Sequence, residues 1–302
     1  MRSEEECKEV FNEEQAFWHL FSPGDLSGIL LKENQEYIDA MNIIALCAWA
    51  NKDVKILTFQ VMSNHFHFVI AANETDVVSF GELVKKRIRR AVFKSTDNNI
   101  SSKFSFRHIK IENLLYLRNV IAYVNRNGYV VSEDHTPFSY PWGASNCFFN
   151  PLQNILEKRF LRELSIKDKR KIFKTHNIEL PENYYFTNNY INPSCYCYID
   201  IAQNVFKNAH EYFSIISRRV ESFSDIAKEL EDKVFYTDSE IYQIIIGLCI
   251  KNYNIKNPSE LPATEKIKMA IHLKNKYNCT KKQISRLLSM DLSIINQLFP
   301  LL

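Results

Sequence analysis

Two rhythms of hydrophobic and polar positions run through the first half of the chain. A period of two, or a short unbroken apolar run, predicts strands over 16–22, 54–62, 65–72 and 104–111. A helical period predicts helices over 33–51, 77–94 and 112–127, the first through Tyr37, Met41, Ile44, Leu46 and Trp49. Breaks fall where turn chemistry stands: Pro23-Gly24-Asp25, Ser63-Asn64, and Asn127-Gly128 as a helix stop. The order β-α-β-β-α-β-α fits an α+β fold, an antiparallel sheet with helices on one face. Ser139-Tyr140-Pro141-Trp142-Gly143 and Asn150-Pro151 interrupt the pattern, so a boundary is expected near residue 150. Beyond it the pattern reads as an all-helical half with a loop at 180–194, giving expected divisions of 1–150, 151–262 and 263–302.

Composition adds limits. Hydrophobic residues are 46% and charged residues 24% of 302, the profile of a globular protein with room for two cores. Residues 1–15 carry six glutamates and no apolar core, unlike a signal peptide, and no stretch approaches a membrane span. A cytoplasmic, nucleoid-associated protein is expected. Seven cysteines without paired spacing read as reduced thiols; Cys195-Tyr196-Cys197 has the form of half a zinc site, but no second half follows.

Net charge is only +3, yet the charges are segregated. Residues 85–110 hold nine Lys/Arg and one acid, and 266–286 hold seven and none, while acids collect at 1–15 and 221–231. Such local basic faces suit a polyanion, and equally suit two solvated helix faces.

The chemistry concentrates in Met62-Ser63-Asn64-His65-Phe66-His67-Phe68-Val69-Ile70. In a strand, His65, His67 and Val69 point one way and Phe66, Phe68 and Ile70 the other, the latter a core face. Two imidazoles on the non-core face stand about 6–7 Å apart, near enough to share a cation. Further on, Tyr123 and Asn127 lie one helical turn apart beside the apolar Val120, Ile121 and Val124. Each feature alone is an ordinary packing pattern.

Together, Met-Ser-Asn-His-Phe-His followed by Tyr-Val-Asn-Arg-Asn-Gly resembles the REP-associated tyrosine transposases, a branch of the single-tyrosine HUH transposases. Ser139-Tyr140-Pro141-Trp142 is similar to the Tyr-Pro-Trp that closes their catalytic domain, so the resemblance spans roughly 16–150. It implies an HUH endonuclease domain of ferredoxin-like (RRM-like) form. It implies that His65, His67 and Asn127 bind Mg²⁺ or Mn²⁺, and that Tyr123 attacks a DNA phosphodiester to give a 5′-phosphotyrosine. The expected partner is single-stranded DNA, hairpin or repeat-derived, handled by a monomer or homodimer. Gly128 departs from the family's proline, and Ser105-Phe106-Arg107-His108-Ile109-Lys110 keeps the arginine and lysine of a family strand but lacks its glycine.

Candidate DNA contacts are Lys85, Lys86, Arg87, Arg89, Arg90, Arg107, Lys110 and Trp142, with Tyr140 and Phe104 as further stacking platforms. In the tail, 264–278 reads as a helix, Thr280-Lys281-Lys282-Gln283 as a capping box opening a helix to 288, and 292–299 as a groove-entering helix. Lys281, Lys282 and Arg286 are its candidate phosphate contacts, an ordinary helical hairpin being the bland alternative. Two rivals to an active transposase remain: a domesticated, catalytically silent repeat-binding protein, and a helix-turn-helix regulator.

Overall fold

The computed structural model describes residues 16–23, 30–91, 104–130, 135–155, 157–176, 178–217, 236, 238–277 and 279–300. The expected turn at Gly24-Asp25, the last turn of the second helix at 92–94 and the acidic stretches at 1–15 and 221–231 lie outside these residues. The fold is α+β, as the periodicity predicts. Strands β1 (Ala16–Phe21), β2 (Lys55–Val61), β3 (Phe66–Ala72) and β4 (Arg107–Ile111) form one antiparallel sheet in the order β2-β3-β1-β4. Helices α1 (Asn34–Ala50), α2 (Glu74–Ala91) and α3 (Leu114–Val130) complete the βαββαβα chain order.

Pairing register assigns every side chain to a face. Phe68 of β3 pairs with Leu20 and Phe59, and on this face Phe80 of α2 meets Phe68 edge-on at 5.5 Å. His67 pairs with Phe21 and Gln60 on the opposite face, where α3 packs: Thr58 donates to the Asn125 amide oxygen at 2.5 Å. Helices therefore cover both faces, not one. The cause is legible in β3, whose seven residues are all buried; a strand buried on both faces requires a layer on each side.

Residues beyond 150 are not all-helical. β5 (Arg159–Phe160), β6 (Tyr185–Thr187) and β7 (Tyr190–Ile191) form a small antiparallel sheet, with α4 (Ile166–Phe173) between β5 and β6 in the chain and α5 (Ile199–Asn204) and α6 (Ala209–Ile216) after it. Strands of two or three residues are too short to display a period. This layer docks on the main sheet's helices. The Asn42 amide of α1 accepts from Ile191 N (3.0 Å), Lys174 pairs with the buried Asp39, and Tyr190 donates to Pro141 O (2.6 Å). Almost all described residues up to 217 thus belong to one compact unit.

The second unit holds α7 (Asp238–Tyr253), α8 (Ala263–Tyr277), α9 (Lys281–Leu288) and α10 (Leu292–Leu298). Its core gathers Ile241, Ile245, Leu273, Ile284, Leu288 and Ile295, all fully buried. The capping box forms as predicted: Thr280 Oγ1 accepts from Gln283 N at 3.1 Å, and Gln283 accepts from Thr280 N at 3.0 Å. Ser289 ends α9 in the left-handed region (φ 50°), and Asp291 then caps α10 by accepting from Ser293 N at 2.7 Å.

Candidate functional site

His67 lies near the start of β3, on the face that α3 covers. Helical spacing turns Tyr123 and Asn127 of α3 onto it. The Asn127 Nδ2 stands 3.4 Å from His67 Nε2, and the Tyr123 ring meets the imidazole edge-on at 5.7 Å between centroids. His65, one residue before β3, places its ring 4.7 Å from that of His67, again edge-on, and its Nδ1 lies 2.7 Å from Asn64 Oδ1. The four sequence-predicted residues are therefore brought together from segments up to 62 residues apart.

What places α3 so closely is a buried polar ladder. Asn125 accepts from Thr58 and donates to Tyr212 OH at 3.0 Å, tying α3 to β2 beneath and α6 above. Burial drives the Tyr212 phenol above its ordinary range, and its neutral oxygen accepts the hydrogen bond from the Asn125 amide N–H. Tyr129 and Arg118 add bonds to Ile216 O (2.7 Å) and Val205 O (2.8 Å). Each bond answers a buried group whose loss costs about 1–3 kcal/mol.

Gly128 does not stop the helix, which runs on to Val130. A Cβ on it would strike the Gln60 amide and come within 2.6 Å of the Tyr140 ring. The glycine serves close approach, not termination. The Gln60 amide and Ser145 hydroxyl are hydrogen-bonded at 3.0 Å in that gap.

Burial is the main departure from expectation. His65, His67, Tyr123 and Asn127 expose 1%, 0%, 2% and 3% of their surface, so the histidine face is core and not open. Tyr140 and Phe104 are also buried, at 5% and 1%, and cannot serve as stacking platforms as they stand. Tyr140 spends its hydroxyl on Val61 O at 2.6 Å. Trp142 is half-buried and already stacked on Tyr37, 5.0 Å away at 24°.

Compared with known proteins, the chain matches no family model and no curated sequence.

The candidate cations divide among three places. Lys86, Arg89 and Arg90 are exposed on α2, with Arg87 half-buried and Lys85 bonded to Glu82 at 2.6 Å. That helix covers the sheet face opposite Tyr123, and Lys110, paired with Trp18, belongs to that face too. Arg107 alone shares the site's face: it pairs with Phe21, which pairs with His67, so all three lie in one row. Two strand spacings put it roughly 10 Å from His67. Lys281, Lys282 and Arg286 belong to the second unit, where Arg286 grips Asp238 through two nitrogens at 3.1 and 2.7 Å.

The periodicity did not single out His19 and Gln60. His19 Nε2 lies 3.1 Å from His67 Nδ1, and Gln60 is the fully buried cross-strand partner of His67. The alternation of β1 puts His19 on the face of Phe17 and Phe21, but only strand pairing reveals what it meets. Among the described residues, no three His, Cys, Asp or Glu side chains are gathered so as to hold a metal ion, so a third protein donor would be the Asn127 amide. The Cys195/Cys197 pair accordingly has no zinc partners among those residues. No helix among the described residues is long and apolar enough to cross a membrane.

Proposed function

We propose that the chain is a metal-dependent transposase of the single-tyrosine kind, which cleaves single-stranded DNA and transfers it through a 5′-phosphotyrosine. The observation that carries this reading is the meeting of His67, Tyr123 and Asn127 on one sheet face, the set that the resemblance implies. The sheet order β2-β3-β1-β4 with two helical crossovers corresponds to the ferredoxin-like arrangement expected of an HUH domain.

The donors fit a small divalent ion. Two neighbouring ligands of an octahedral ion at ~2.1 Å stand about 3 Å apart; Asn127 Nδ2 stands 3.4 Å from His67 Nε2, so a half-turn of the amide would present its oxygen, the ligating atom, at a similar range. Held by His65, His67 and the Asn127 oxygen, Mg²⁺ or Mn²⁺ would polarise a non-bridging phosphate oxygen. A phenol is a weak nucleophile, so the contribution of Tyr123 rests on placement: a fixed ring beside a bound phosphate would attack in line. The Oη–P bond forms as the P–O3′ bond breaks; the phenolic proton is lost and the leaving 3′-oxygen gains one. Arg107, in the same row, would hold an adjacent phosphate. In the second unit, α9 and α10 form a candidate helix-turn-helix, with Ser293, Asn296 and Gln297 exposed on the second helix. The expected setting is the cytoplasm, on hairpin-forming repeats.

Tyr123→Phe tests this. Wild type given a 5′-extended hairpin oligonucleotide and Mn²⁺ should yield an SDS-resistant adduct that maps to Tyr123, and the variant should bind the oligonucleotide yet yield none. Equal cleavage by both proteins overturns the assignment. The near-complete burial of Tyr123 favours one second reading, a repeat-binding protein that no longer turns over. Tight binding by both proteins with no cleavage by either is its signature.

A further inference from the structure

We infer that His19 is a positioning residue for this site, holding the His67 ring in the tautomer that carries its proton on Nδ1 and leaves the Nε2 lone pair directed at Asn127. The inference rests on the reading of His67 as a metal ligand, but its first test does not.

The argument begins with strand register. His19 pairs with Val69 and lies on the α3 face of β1, diagonal to His67. The two rings are 5.2 Å apart and inclined by 32°, with His19 Nε2 3.1 Å from His67 Nδ1. A neutral imidazole has one N–H and one lone pair, so this bond and the bond at the far nitrogen are not independent. If His67 donates from Nδ1 to His19, its Nε2 is a bare acceptor, and the Asn127 NH₂ at 3.4 Å meets a lone pair. In the opposite tautomer an Nε2–H would face that amide N–H. With the Asn127 nitrogen turned to His67, its contact fits this proton position, and the His19 contact is compatible with it; it is the position a metal ligand needs, because only an unprotonated nitrogen coordinates.

Burial makes the partner matter. His19 exposes 1% and His67 none of its surface, so water does not readily replace the acceptor. Metal-bound imidazoles commonly owe their orientation to such an outer partner, whose loss weakens binding by roughly 10–100-fold. A histidine in that position supplies an acceptor without adding negative charge beside a phosphodiester.

The experiment uses the full chain as wild type, His19→Gln and His19→Phe, labelled with ¹⁵N-histidine and free of metal. Long-range ¹H–¹⁵N spectra, with the His67 signals assigned by their loss in His67→Gln, report the tautomer directly. Wild type should carry the His67 proton on Nδ1. His19→Phe should shift it toward Nε2, and His19→Gln, whose amide oxygen accepts, should restore it. Titration with Mn²⁺ followed by electron paramagnetic resonance should show roughly 10–100-fold weaker binding in His19→Phe and recovery in His19→Gln. A wild-type His67 protonated on Nε2 overturns the inference, as does an unchanged tautomer in His19→Phe. Should His19→Phe not fold, the wild-type spectrum and the glutamine variant decide. If the tautomer follows His19 but Mn²⁺ binds wild type no better than His67→Gln, positioning stands and the metal reading falls.

Discussion

Replacing Gly128 with alanine sets two effects of known sign against each other. In an exposed helix interior the change stabilises by about 1 kcal/mol, since glycine is that much the poorer helix former. At this position the new methyl would enter space held by the Gln60 amide and sit 2.6 and 2.8 Å from two Tyr140 ring carbons. Neither neighbour yields easily: Tyr140 is anchored on Val61 O and Gln60 on Ser145. Overpacking a tight interior costs about 1–3 kcal/mol, and displaced hydrogen bonds put this case at the upper end. The net expectation is a loss of about 1–2 kcal/mol, or roughly 2–8 °C in the unfolding midpoint of a unit this size. Calorimetry or urea denaturation of the full chain measures it. The cycle with Gln60→Ala sharpens the test: with that side chain removed, the cost of the methyl should fall by about 1 kcal/mol or more. If Gly128→Ala is as stable as wild type or more so, α3 does not approach β2 this closely. The placement of Asn127 against His67, one residue before the glycine, would then be wrong as well.

Three further outcomes are expected. Changing Lys86, Arg89 and Arg90 together to alanine should flatten the dependence of log affinity on log salt for single strands by roughly 2, about 0.7 per lost phosphate contact. Adduct formation at saturating oligonucleotide should hold, because α2 lies across the sheet from Tyr123; an unchanged slope would mark these cations as a solvated face. Thr280→Ala should destabilise the second unit by about 1 kcal/mol by removing the cap, and Thr280→Ser should restore it, as circular dichroism on heating would register. Burial pushes the Cys47, Cys147 and Cys279 thiols up to about 12. At pH 8 only about one in ten thousand of each is thiolate, so native alkylation by iodoacetamide should be slow until denaturant is added; prompt native labelling of Cys47 would refute the burial of its face of α1.

The elements of the first 130 residues were readable because each is long enough to show its period. The helix over 33–51 is observed as Asn34–Ala50 and the strand over 65–72 as Phe66–Ala72. The candidate site was suggested only by the spacing of His65, His67, Tyr123 and Asn127, which the fold brings close together; the periodicity of each segment reads as ordinary packing. Alternation misled at one point. It distinguishes the two faces of β3 but not whether the second is wet, and here the side of His67 is covered by α3, so both are core. Tyr140 and Phe104 misled for a related reason, since an aromatic residue reads alike whether it stacks on a base or on its own core. His19 was hidden because its meaning comes from pairing with a strand some fifty residues away, which no local window contains. The strands at 159–160, 185–187 and 190–191 are held by neighbours and carry no period of their own.

The closed state of the site links these observations. Under the proposed reaction a phosphodiester would have to displace protein to reach Tyr123, because the four site side chains expose 3% or less of their surface. The ladder from Thr58 through Asn125 to Tyr212 fixes α3 between the sheet and α6, so withdrawing the whole helix would forfeit several buried bonds at about 1–3 kcal/mol each. Entry from the side of Arg107 demands less. That residue is exposed on the edge strand β4, in the row that leads through Phe21 to His67, and it faces the same way. A strand whose phosphate first engages Arg107 would approach His67 along that row, away from the Asn125 ladder on β2. On this account the same helix anchor that buries Tyr123 in the free protein keeps its ring in register when DNA arrives, so rigidity at Asn125 and opening at β4 are complementary requirements.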